Sequence, residues 1–265
     1  MTDARSGAGD IERTLRLLWG HDAEPVRGPR RSLSVAAIVD KAIEIADARG
    51  LDAVSIRTVA AELGVGAMTL YRYIPGKAEL LDLMLDRVGR PTVEPLPRGW
   101  RRALETIARE MWRLYTTHPW LPFVDQSRPV LGPNAVHSLD LVMGALRCCD
   151  LTDQEKVGLT VTIESFITSL ARTANAIAEA DARTAESHDA FWRLQEATLT
   201  AAMESGRYPH MAALGEDAFA ASIDETFELG LTLILDGVQA RLDRRACLSA
   251  ARRPSPRRRR GAGAR

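Results

Sequence analysis

The sequence has few aromatic residues and no long uncharged apolar run. Aromatic side chains make up 5% of the 265 residues, and no stretch reaches the roughly 18 to 20 uncharged apolar residues that a membrane-spanning helix needs. Acids are scattered through the first 30 residues, among them Asp3, Asp10 and Glu12, so the apolar core of a secretion signal is lacking there. We therefore expect a soluble, cytoplasmic protein without a membrane partner.

Cysteine is also rare, and its three positions suit neither a metal site nor a disulfide framework. Cys148 and Cys149 are adjacent, and Cys247 lies in a polar C-terminal stretch. The sequence has no nucleophile elbow, no HExxH motif and no glycine-rich phosphate loop. We predict that the protein is not an enzyme and that it holds no metal and no cofactor. An enzyme that uses a helical cavity with Glu164 and His188 is kept as a minor alternative.

Basic and acidic residues balance at 35 each, but they are unevenly distributed. Ten arginines and a single acid, Asp243, lie between Arg241 and the C-terminus. This end of the chain offers no large apolar cluster to offset the entropy of ordering. We predict a disordered Arg-rich tail at 244–265 and favour a weak electrostatic affinity for DNA as its role, with a tail of no function as the alternative.

Strand-like alternation is missing too, because nearly every segment repeats apolar residues at the spacing of a helix. The sequence therefore predicts an all-α protein. Residues 91–100 contain three prolines and separate a small N-terminal unit from a long helical remainder. The predicted divisions are a flexible leader with a basic arm at 1–31, the small unit at 32–90, a larger helical domain at 91–243 and the tail.

The small unit carries the start and stop signals of several short helices. Ser34 and Ser55 are candidate N-caps, and Gly50 and Gly64 follow two helix ends. A third helix is expected to begin near Ala67 and to stop within two turns. Two short helices joined by a glycine-containing turn are typical of a helix-turn-helix unit.

The third helix has the residue types of a surface that contacts DNA. Small residues at its start allow the backbone to approach base edges, and the hydroxyl and cationic groups of Tyr71, Arg72, Tyr73 and Lys77 can donate to phosphate oxygens. Lys77 also begins a fourth helix, whose free N–H groups attract an anion. The alternative is that the tyrosines are semi-buried core residues on a connecting helix.

Residues 33–85, and above all "IRTVAAELGVGAMTLYRYIPGKAELL", strongly resemble the N-terminal domain of TetR-family transcriptional regulators. The resemblance implies a three-helix helix-turn-helix DNA-binding domain whose third helix enters the major groove of double-stranded operator DNA. The positions that it assigns to DNA contact are Arg57, Ala67, Met68, Thr69, Tyr71, Arg72, Tyr73 and Lys77.

One departure from the family affects the expected operator. The tetracycline repressors carry a Gln-Pro pair at the start of the third helix, where this sequence has Ala67 and Met68. Neither side chain can make a bidentate contact with a base. We therefore expect a different operator, with Arg72 reading a guanine.

The remainder of the chain resembles, more loosely, the tetracycline-repressor type of C-terminal domain. That likeness implies a ligand-binding and dimerisation domain, a homodimer, an unidentified small-molecule effector, and repression that the effector relieves. It does not extend to a metal site, because His118 has no convincing acidic partner in the sequence. A ligand-dependent activator and a helical interaction or scaffold protein remain alternatives on the same fold.

Two long segments, 155–178 and 221–242, are apolar over a wide arc and are expected to face both their own domain and a partner. The alternative for each is a core helix of a monomer. The predicted dimer interface is Ile163, Ile167, Phe227, Leu231, Ile234 and Leu235.

Large aromatic side chains are concentrated in the larger domain, although the chain as a whole has few. Such residues commonly line small-molecule sites, although they also fill ordinary cores. The predicted pocket residues are Trp112, Tyr115, Trp120, Phe123, Phe166 and Trp192.

Overall fold

The computed structural model describes residues 4–20, 33–183, 188–215 and 217–251. Within these ranges the chain forms α-helices and two short 3-10 turns, and its only β-type contact is an isolated bridge between Arg5 and Asp125. The prediction of an all-α fold is confirmed. None of the described helices is long and apolar enough to cross a membrane.

The helices follow one another along the chain with these bounds. They are α1 Ile11–Leu18, α2 Val35–Arg49, α3 Ile56–Glu62, α4 Ala67–Leu70, α5 Lys77–Val88, α6 Trp100–Thr117, α7 Pro133–Leu146, α8 Asp153–Arg183, α9 His188–Arg193, α10 Glu196–Glu204, α11 Pro209–Ala212 and α12 Ile223–Ala251.

Local signals set the ends of α2 and α3. Ser34 Oγ accepts a hydrogen bond from Ala37 N at 3.1 Å, and Ser55 Oγ accepts one from Thr58 N at 3.0 Å. Gly50 and Gly64 have φ values of +78° and +70°, which residues with a β-carbon rarely adopt. The predicted caps and helix stops are thus present in the structure.

Helices α2 to α5 enclose one small apolar core. Ile38, Val59, Leu70, Ile74 and Leu80 are each fully buried in it. They come from α2, α3, α4, the turn after α4 and α5, so each element of the unit supplies at least one anchor. This core fixes the position of α4 although that helix is only four residues long.

The larger domain is built on the packing of α6, α8 and α12. Phe227 of α12 is buried, with its ring 4.9 Å from that of Trp112 on α6 and 6.3 Å from that of Phe166 on α8. A β-carbon at Gly230 would lie 2.3 Å from Phe166 Cζ, so α8 and α12 approach closely at this glycine.

The leader was predicted to be flexible, but residues 4–20 are packed against both parts of the protein. Thr14 of α1 and Ser6 are buried. Backbone hydrogen bonds join Ser6 N to Asp125 O and Asp125 N to Ala4 O, each at 2.9 Å. The prediction of flexibility is wrong for this segment, because polar residues far along the chain hold it. The predicted basic arm at 24–31 lies outside the described residues.

The C-terminal tail was predicted to begin at 244, whereas α12 continues to Ala251. Arg245 Nη2 lies 2.8 Å from Glu155 Oε1 at the start of α8, and Arg241 pairs with the same carboxylate. These ion pairs extend the helix beyond its apolar part. The rest of the predicted tail, 252–265, lies outside the described residues.

Candidate nucleic-acid interface and effector cavity

A glycine turn holds α3 and α4 in a helix-turn-helix arrangement. Gly64 N donates to Ala61 O at 3.1 Å, and Val65 N donates to Ala60 O at 3.0 Å, which ends α3. Thr69 N then donates to Gly66 O at 2.8 Å and begins α4. Val59 and Ala60 of α3 and Leu70 of α4 are buried, so the two helices cross over small and medium apolar side chains.

The outer surface of this unit has the residue types that DNA contact requires. Met68 is 78% exposed and Tyr71 is 44% exposed. Arg57 and Arg72 are also exposed, and neither forms an ion pair within the described part of the chain. Their charges are therefore free to meet phosphates or base edges.

The remaining predicted contacts lie partly inside this surface. Ala67, Thr69 and Tyr73 are half-buried. Lys77, at the start of α5, is also half-buried, and its Nζ donates to Leu51 O at 3.1 Å. Lys77 thus ties α5 to the turn after α2, in addition to any contact with DNA that its other two N–H groups can make.

A cavity of about 1000 Å³ extends from α5 into the larger domain. Its walls come from the end of α5, from α6, α7 and α8, and from the loop 126–131. Ile107, Leu114, Leu139 and Val142 give these walls a largely apolar character, and Ser6 of the leader also contributes to them. The size and lining are typical of a small-molecule site.

Of the six aromatic residues predicted to line a pocket, Tyr115 alone lines this cavity. Trp112 and Phe166 pack on Phe227 in the core of the larger domain. Trp120 is buried and donates to Asp47, Phe123 lies beside a separate shallow depression, and Trp192 is half exposed on α9. The pocket prediction needs this correction because aliphatic and polar side chains, rather than aromatic rings, form most of the wall.

The six residues predicted for the dimer interface lie inside a single protomer. Ile163, Ile167, Phe227, Leu231 and Leu235 are at most 7% exposed, and Ile234 is partly buried against them. The five buried residues already pack within one chain, so little of their surface is left for a partner, whereas Ile234 keeps part of its surface exposed. Two leucines on the opposite side of α12, Leu229 and Leu233, are each 62% exposed.

Two side-chain contacts join the cavity walls to the helix-turn-helix unit. Asp47 of α2 is bonded to His118 Nδ1 at 2.8 Å and accepts a hydrogen bond from Trp120 Nε1 at 2.7 Å, and His118 also lines the cavity. Asp86 of α5 accepts hydrogen bonds from Asn134 N and Ala135 N, both at 3.1 Å, at the start of α7. Both carboxylates therefore connect the two units directly.

The leader adds a third connection, and we call residues 4–20 the N-terminal strap. Ser6 Oγ donates to Asp82 Oδ1 of α5 at 2.6 Å and accepts from Val130 N at 3.2 Å. Asp10 N donates to Glu79 Oε1 at 2.9 Å. The strap thus ties α5 to the 126–131 loop of the cavity wall.

Sequence reasoning missed Glu79, Asp82 and Asp86, although a signal was present. These three acids recur at spacings of three and four along α5, so they lie on one face of the helix. All three are buried in the structure, where backbone N–H groups of the strap or of α7 bind them. An acidic stripe on a short helix indicated a face that other segments cover.

Burial raises the pKa of Asp82 above its ordinary value, against the opposing effect of the hydrogen bonds from Ser6 and Gly7. For an acid whose pKa is raised by folding, ionisation disfavours the folded state. The unfavourable contribution is absent below the ordinary pKa of 3.8, grows as pH rises from there towards the raised pKa, and stays constant above it.

The variant Asp82→Asn is therefore expected to gain stability relative to the unmodified protein as pH rises from about 4 to 7. An asparagine Oδ1 can still accept from Ser6 and Gly7, so the strap should stay in place. Urea unfolding of both proteins across this range measures the difference. A gap that is constant with pH, or that narrows as pH rises, would contradict the burial of an ionisable carboxyl here.

These features define a protein class: a helix-turn-helix unit joined to a helical domain with a cavity. The unit has an exposed, partly basic outer surface formed by Arg57, Met68, Tyr71 and Arg72, which we call the reading surface. Two family models match the chain in agreement with this. Residues 38–84 match "Bacterial regulatory proteins, tetR family", and residues 94–242 match "Tetracyclin repressor-like, C-terminal domain". The chain belongs to the TetR family of transcriptional regulators, as the sequence resemblance predicted.

Relatives support the same assignment over nearly the whole chain. The HTH-type transcriptional repressor DrrR1 of Streptomyces coeruleorubidus is 48% identical over 248 residues, which cover 92% of each chain. The crystal structure of apo ActR from Streptomyces coelicolor is similar with a TM-score of 0.64 and 29% identity, covering 78% of this chain and 95% of that one. ActR in complex with actinorhodin gives a TM-score of 0.60 and 27% identity, with 80% and 98% covered.

The assignment bears on the prediction that the protein has no enzymatic activity, and the structure adds a finding on metal binding. The family consists of DNA-binding transcriptional regulators, which confirms that the protein is not an enzyme. Among the described residues no group of three or more His, Cys, Asp or Glu is arranged to hold a metal ion.

Proposed function

We propose that the protein is a homodimeric repressor that a small molecule, bound in the cavity of the larger domain, releases from its operator. The observation that supports this most is the position of α5. Leu80 and Met84 of α5 are buried in the core of the helix-turn-helix unit, whereas Leu85, Asp86 and Val88 line the cavity. A ligand that moves the cavity wall therefore also moves α5, whose Leu80 and Met84 belong to the core that holds α4 through Leu70.

For DNA recognition, we assign different roles to the exposed residues of the helix-turn-helix unit. Tyr71 donates a neutral hydrogen bond to phosphate, and Arg57 neutralises a phosphate from α3. Arg72 reads a guanine edge in the major groove. Ala67, Met68 and Thr69 allow the backbone to approach the bases, and Tyr73 and Lys77 complete the phosphate contacts while also holding the unit together.

Replacing Arg72 with alanine should lower the affinity for the preferred operator by about 1 to 3 kcal/mol and affect random DNA much less. Arg57→Ala should weaken binding to all sequences and reduce the slope of log affinity against log salt by roughly one. Arg57 suits this test better than Lys77, because Lys77 also supports the fold through Leu51. Fluorescence anisotropy with operator and scrambled duplexes at several salt concentrations measures both effects.

Tyr71→Phe provides the neutral control for that series. It should weaken binding to both duplexes without changing the salt slope, since no charge is removed. Equal losses for Arg72→Ala on operator and scrambled DNA would show that Arg72 contacts the backbone rather than a base.

For assembly, we place the dimer contact on the outer sides of α8 and α12. Leu229 and Leu233 each follow a buried residue, Phe227 or Leu231, by two positions. Two positions correspond to roughly half a turn of an α-helix, so the two leucines lie on the opposite side of α12. On α8 the residues that are exposed outside the cavity lining include the small residues Gly158 and Thr162. An exposed pair of leucines beside small residues fits a close contact with a second copy of the chain.

The effector would act by changing the separation of the two reading surfaces in the dimer. Repression requires the two α4 helices to meet successive major grooves, about 34 to 36 Å apart. A ligand releases DNA only if it favours a dimer in which that spacing is lost. ActR was solved with actinorhodin, and we infer that this chain also takes a small organic molecule.

A reporter fused to the operator region upstream of the protein's own gene tests the direction of regulation in the bacterial cytoplasm, where we place the protein. A repressor lowers reporter expression, and an added effector restores it. Expression that rises only when protein and effector are both present would identify the ligand-dependent activator. Absence of any mobility shift with that DNA would favour an interaction protein.

A further inference from the structure

One wall of the cavity is a loop without helical structure, and it lies where the cavity reaches the surface. Residues 126–131 precede α7, and all of them except Arg128 line the cavity. Leu131 of this loop is 48% exposed and Leu139 of α7 is 41% exposed, although both also line the cavity. The cavity therefore opens to solvent beside the loop, and we call this opening the mouth.

The N-terminal strap supplies the contacts that hold this loop. Val130 N donates to Ser6 Oγ and Trp19 Nε1 donates to Leu131 O, each at 3.2 Å. Just before the loop, Asp125 also forms backbone hydrogen bonds with the strap. Within the described part of the chain, the hydrogen bonds of residues 126–131 go to the strap, apart from a local one between Ser127 and Asp125. The position of the loop therefore depends on the strap.

The two contacts between strap and loop differ in their surroundings. Ser6 is 2% exposed and its Oγ also donates to Asp82 of α5, so this contact is anchored in the interior. Trp19 is 45% exposed, and water can replace its hydrogen bond to Leu131 O. A contact of this kind can open locally while the rest of the domain stays folded. The Trp19 end is therefore the end at which the loop can be released.

We propose that the strap is a latch on the cavity mouth: Ser6 and Trp19 hold the 126–131 loop in place, and a small molecule enters or leaves when the loop is released. This inference rests on the proposed effector cavity and adds the control of access to it. Leu139 and Val161, which are exposed parts of the lining, belong to the helices α7 and α8. The loop is therefore the part of the wall that can move.

A latch of this kind has a specific kinetic consequence. If entry and exit both pass through the released loop, each rate is proportional to the fraction of time for which the loop is open. The loop is closed in both the free and the bound protein, so the free-energy difference between these states does not depend on the latch. Weakening the latch should raise the association and dissociation rate constants by one factor and leave Kd unchanged. A change that merely loosens the wall would raise the dissociation rate constant and Kd together.

Nile red, a neutral apolar dye that brightens in apolar surroundings, is the probe for stopped-flow measurements on the full-length protein without DNA. Trp19→Phe removes the indole N–H and keeps an aromatic ring at an exposed position, so the variant should fold. It should raise both Nile red rate constants by about 2- to 10-fold, the effect of losing one neutral hydrogen bond. Adding Ser6→Ala, which also removes the acceptor of Val130 N, should raise both rate constants further.

Two further variants serve as controls. Trp192→Phe changes a half-exposed tryptophan on α9, outside the cavity lining, and should leave both rate constants unaltered. Thr168→Trp locates the dye, because Thr168 is half-buried in the lining and a larger ring there fills part of the cavity. This variant should weaken the binding of Nile red. Thermal melts check that every variant folds.

Hydrogen exchange provides a second readout that needs no ligand. The amide of Val130 is protected by Ser6 Oγ, so its exchange reports release of the loop. In Trp19→Phe this exchange should accelerate by the same factor as the Nile red rate constants. The amides of Leu80 and Met84, in the buried part of α5, should keep their protection.

The outcomes separate this inference from the proposed function. Unchanged rate constants in Trp19→Phe and in the double variant, or a dissociation rate constant that rises together with Kd, would overturn the latch while Nile red still reports a working cavity. Failure of Nile red to bind, or binding that Thr168→Trp leaves unaltered, would overturn the effector cavity and, with it, the latch.

Discussion

Replacing Leu233 with aspartate is expected to give a folded monomer that has lost tight operator binding. Leu233 is 62% exposed in the protomer, so a carboxylate there is solvated until a partner covers it. In the proposed dimer the same carboxylate would be buried without a partner, which strongly disfavours association. A monomer presents one reading surface instead of two, and the affinity for a two-half-site operator should fall by several orders of magnitude.

The neighbouring variant Leu231→Asp should behave differently, although it is only two residues away. Leu231 is 1% exposed and packs between α8 and α12 of one protomer. A charge there should unfold the larger domain rather than only separate the subunits. Sedimentation velocity and thermal melts distinguish these two results.

Ile11→Asp is the matched control, because Ile11 is 51% exposed on α1, away from the proposed dimer face. It should leave a dimer of 29.1 kDa subunits with unchanged DNA binding. A monomeric unmodified protein at micromolar concentration, or a dimer that survives Leu233→Asp, would contradict the proposed interface.

The second large effect is expected from displacing the N-terminal strap. A β-carbon at Gly9 would lie 2.3 Å from Glu79 Oε1 and 3.1 Å from Ala78 Cβ, so in Gly9→Leu either the Glu79 carboxylate must turn away from Asp10 N or the strap must move. Glu79 and Asp82 would then lose the hydrogen bonds from Asp10 N and Ser6 Oγ. Leaving buried carboxylates without donors should lower the free energy of unfolding by about 1 to 3 kcal/mol for each lost contact.

Hydrogen exchange and urea unfolding together measure this effect. The amides of Ser6, Gly7 and Asp10 should lose protection in Gly9→Leu, and the unfolding midpoint should fall. Glu12→Leu, which changes an exposed residue of α1, should alter neither. Unchanged protection and stability in Gly9→Leu would mean that the strap does not hold α5 against the larger domain.

The helix-turn-helix unit could be predicted from the sequence because short-range interactions determine it. The hydroxyls of Ser34 and Ser55 each accept a hydrogen bond from the backbone N–H three residues further along the chain. Gly64 ends α3 by donating a hydrogen bond to Ala61 O in the last turn of that helix. Such signals are contained within a few residues of sequence. The family resemblance then predicted DNA-contact positions residue by residue, which periodicity alone could not do.

The strap and the cavity could not be predicted because contacts between distant residues create them. Ser6 meets Asp82 across 76 positions of sequence, and Asp47 meets Trp120 across 73. Nothing in a local pattern indicates such a pair. Trp112 and Phe166 were assigned to a pocket for their size, yet their partner is Phe227, and ring stacking within the core places them there.

The dimer residues illustrate a limit of apolar periodicity. A wide apolar arc on α12 predicts that two sides of the helix are covered, but it does not say which side faces the same chain. The choice of Phe227, Leu231 and Leu235 selected the side that packs on α8, whereas Leu229 and Leu233 remain exposed. Only the placement of α8 against α12 distinguishes the two sides.

The central claim is that the cavity ligand and the operator bind antagonistically through α5 and its connections. The most direct measurement is calorimetric titration of a compound that releases the protein from its operator, carried out with free protein and with protein saturated by operator DNA. The coupling between two binding sites is reciprocal. Bound operator should therefore lower the protein's affinity for the compound by the same factor by which the bound compound lowers its affinity for operator, typically about 5- to 150-fold. Identical affinities in the two titrations would contradict the account and leave the larger domain with dimerisation as its role.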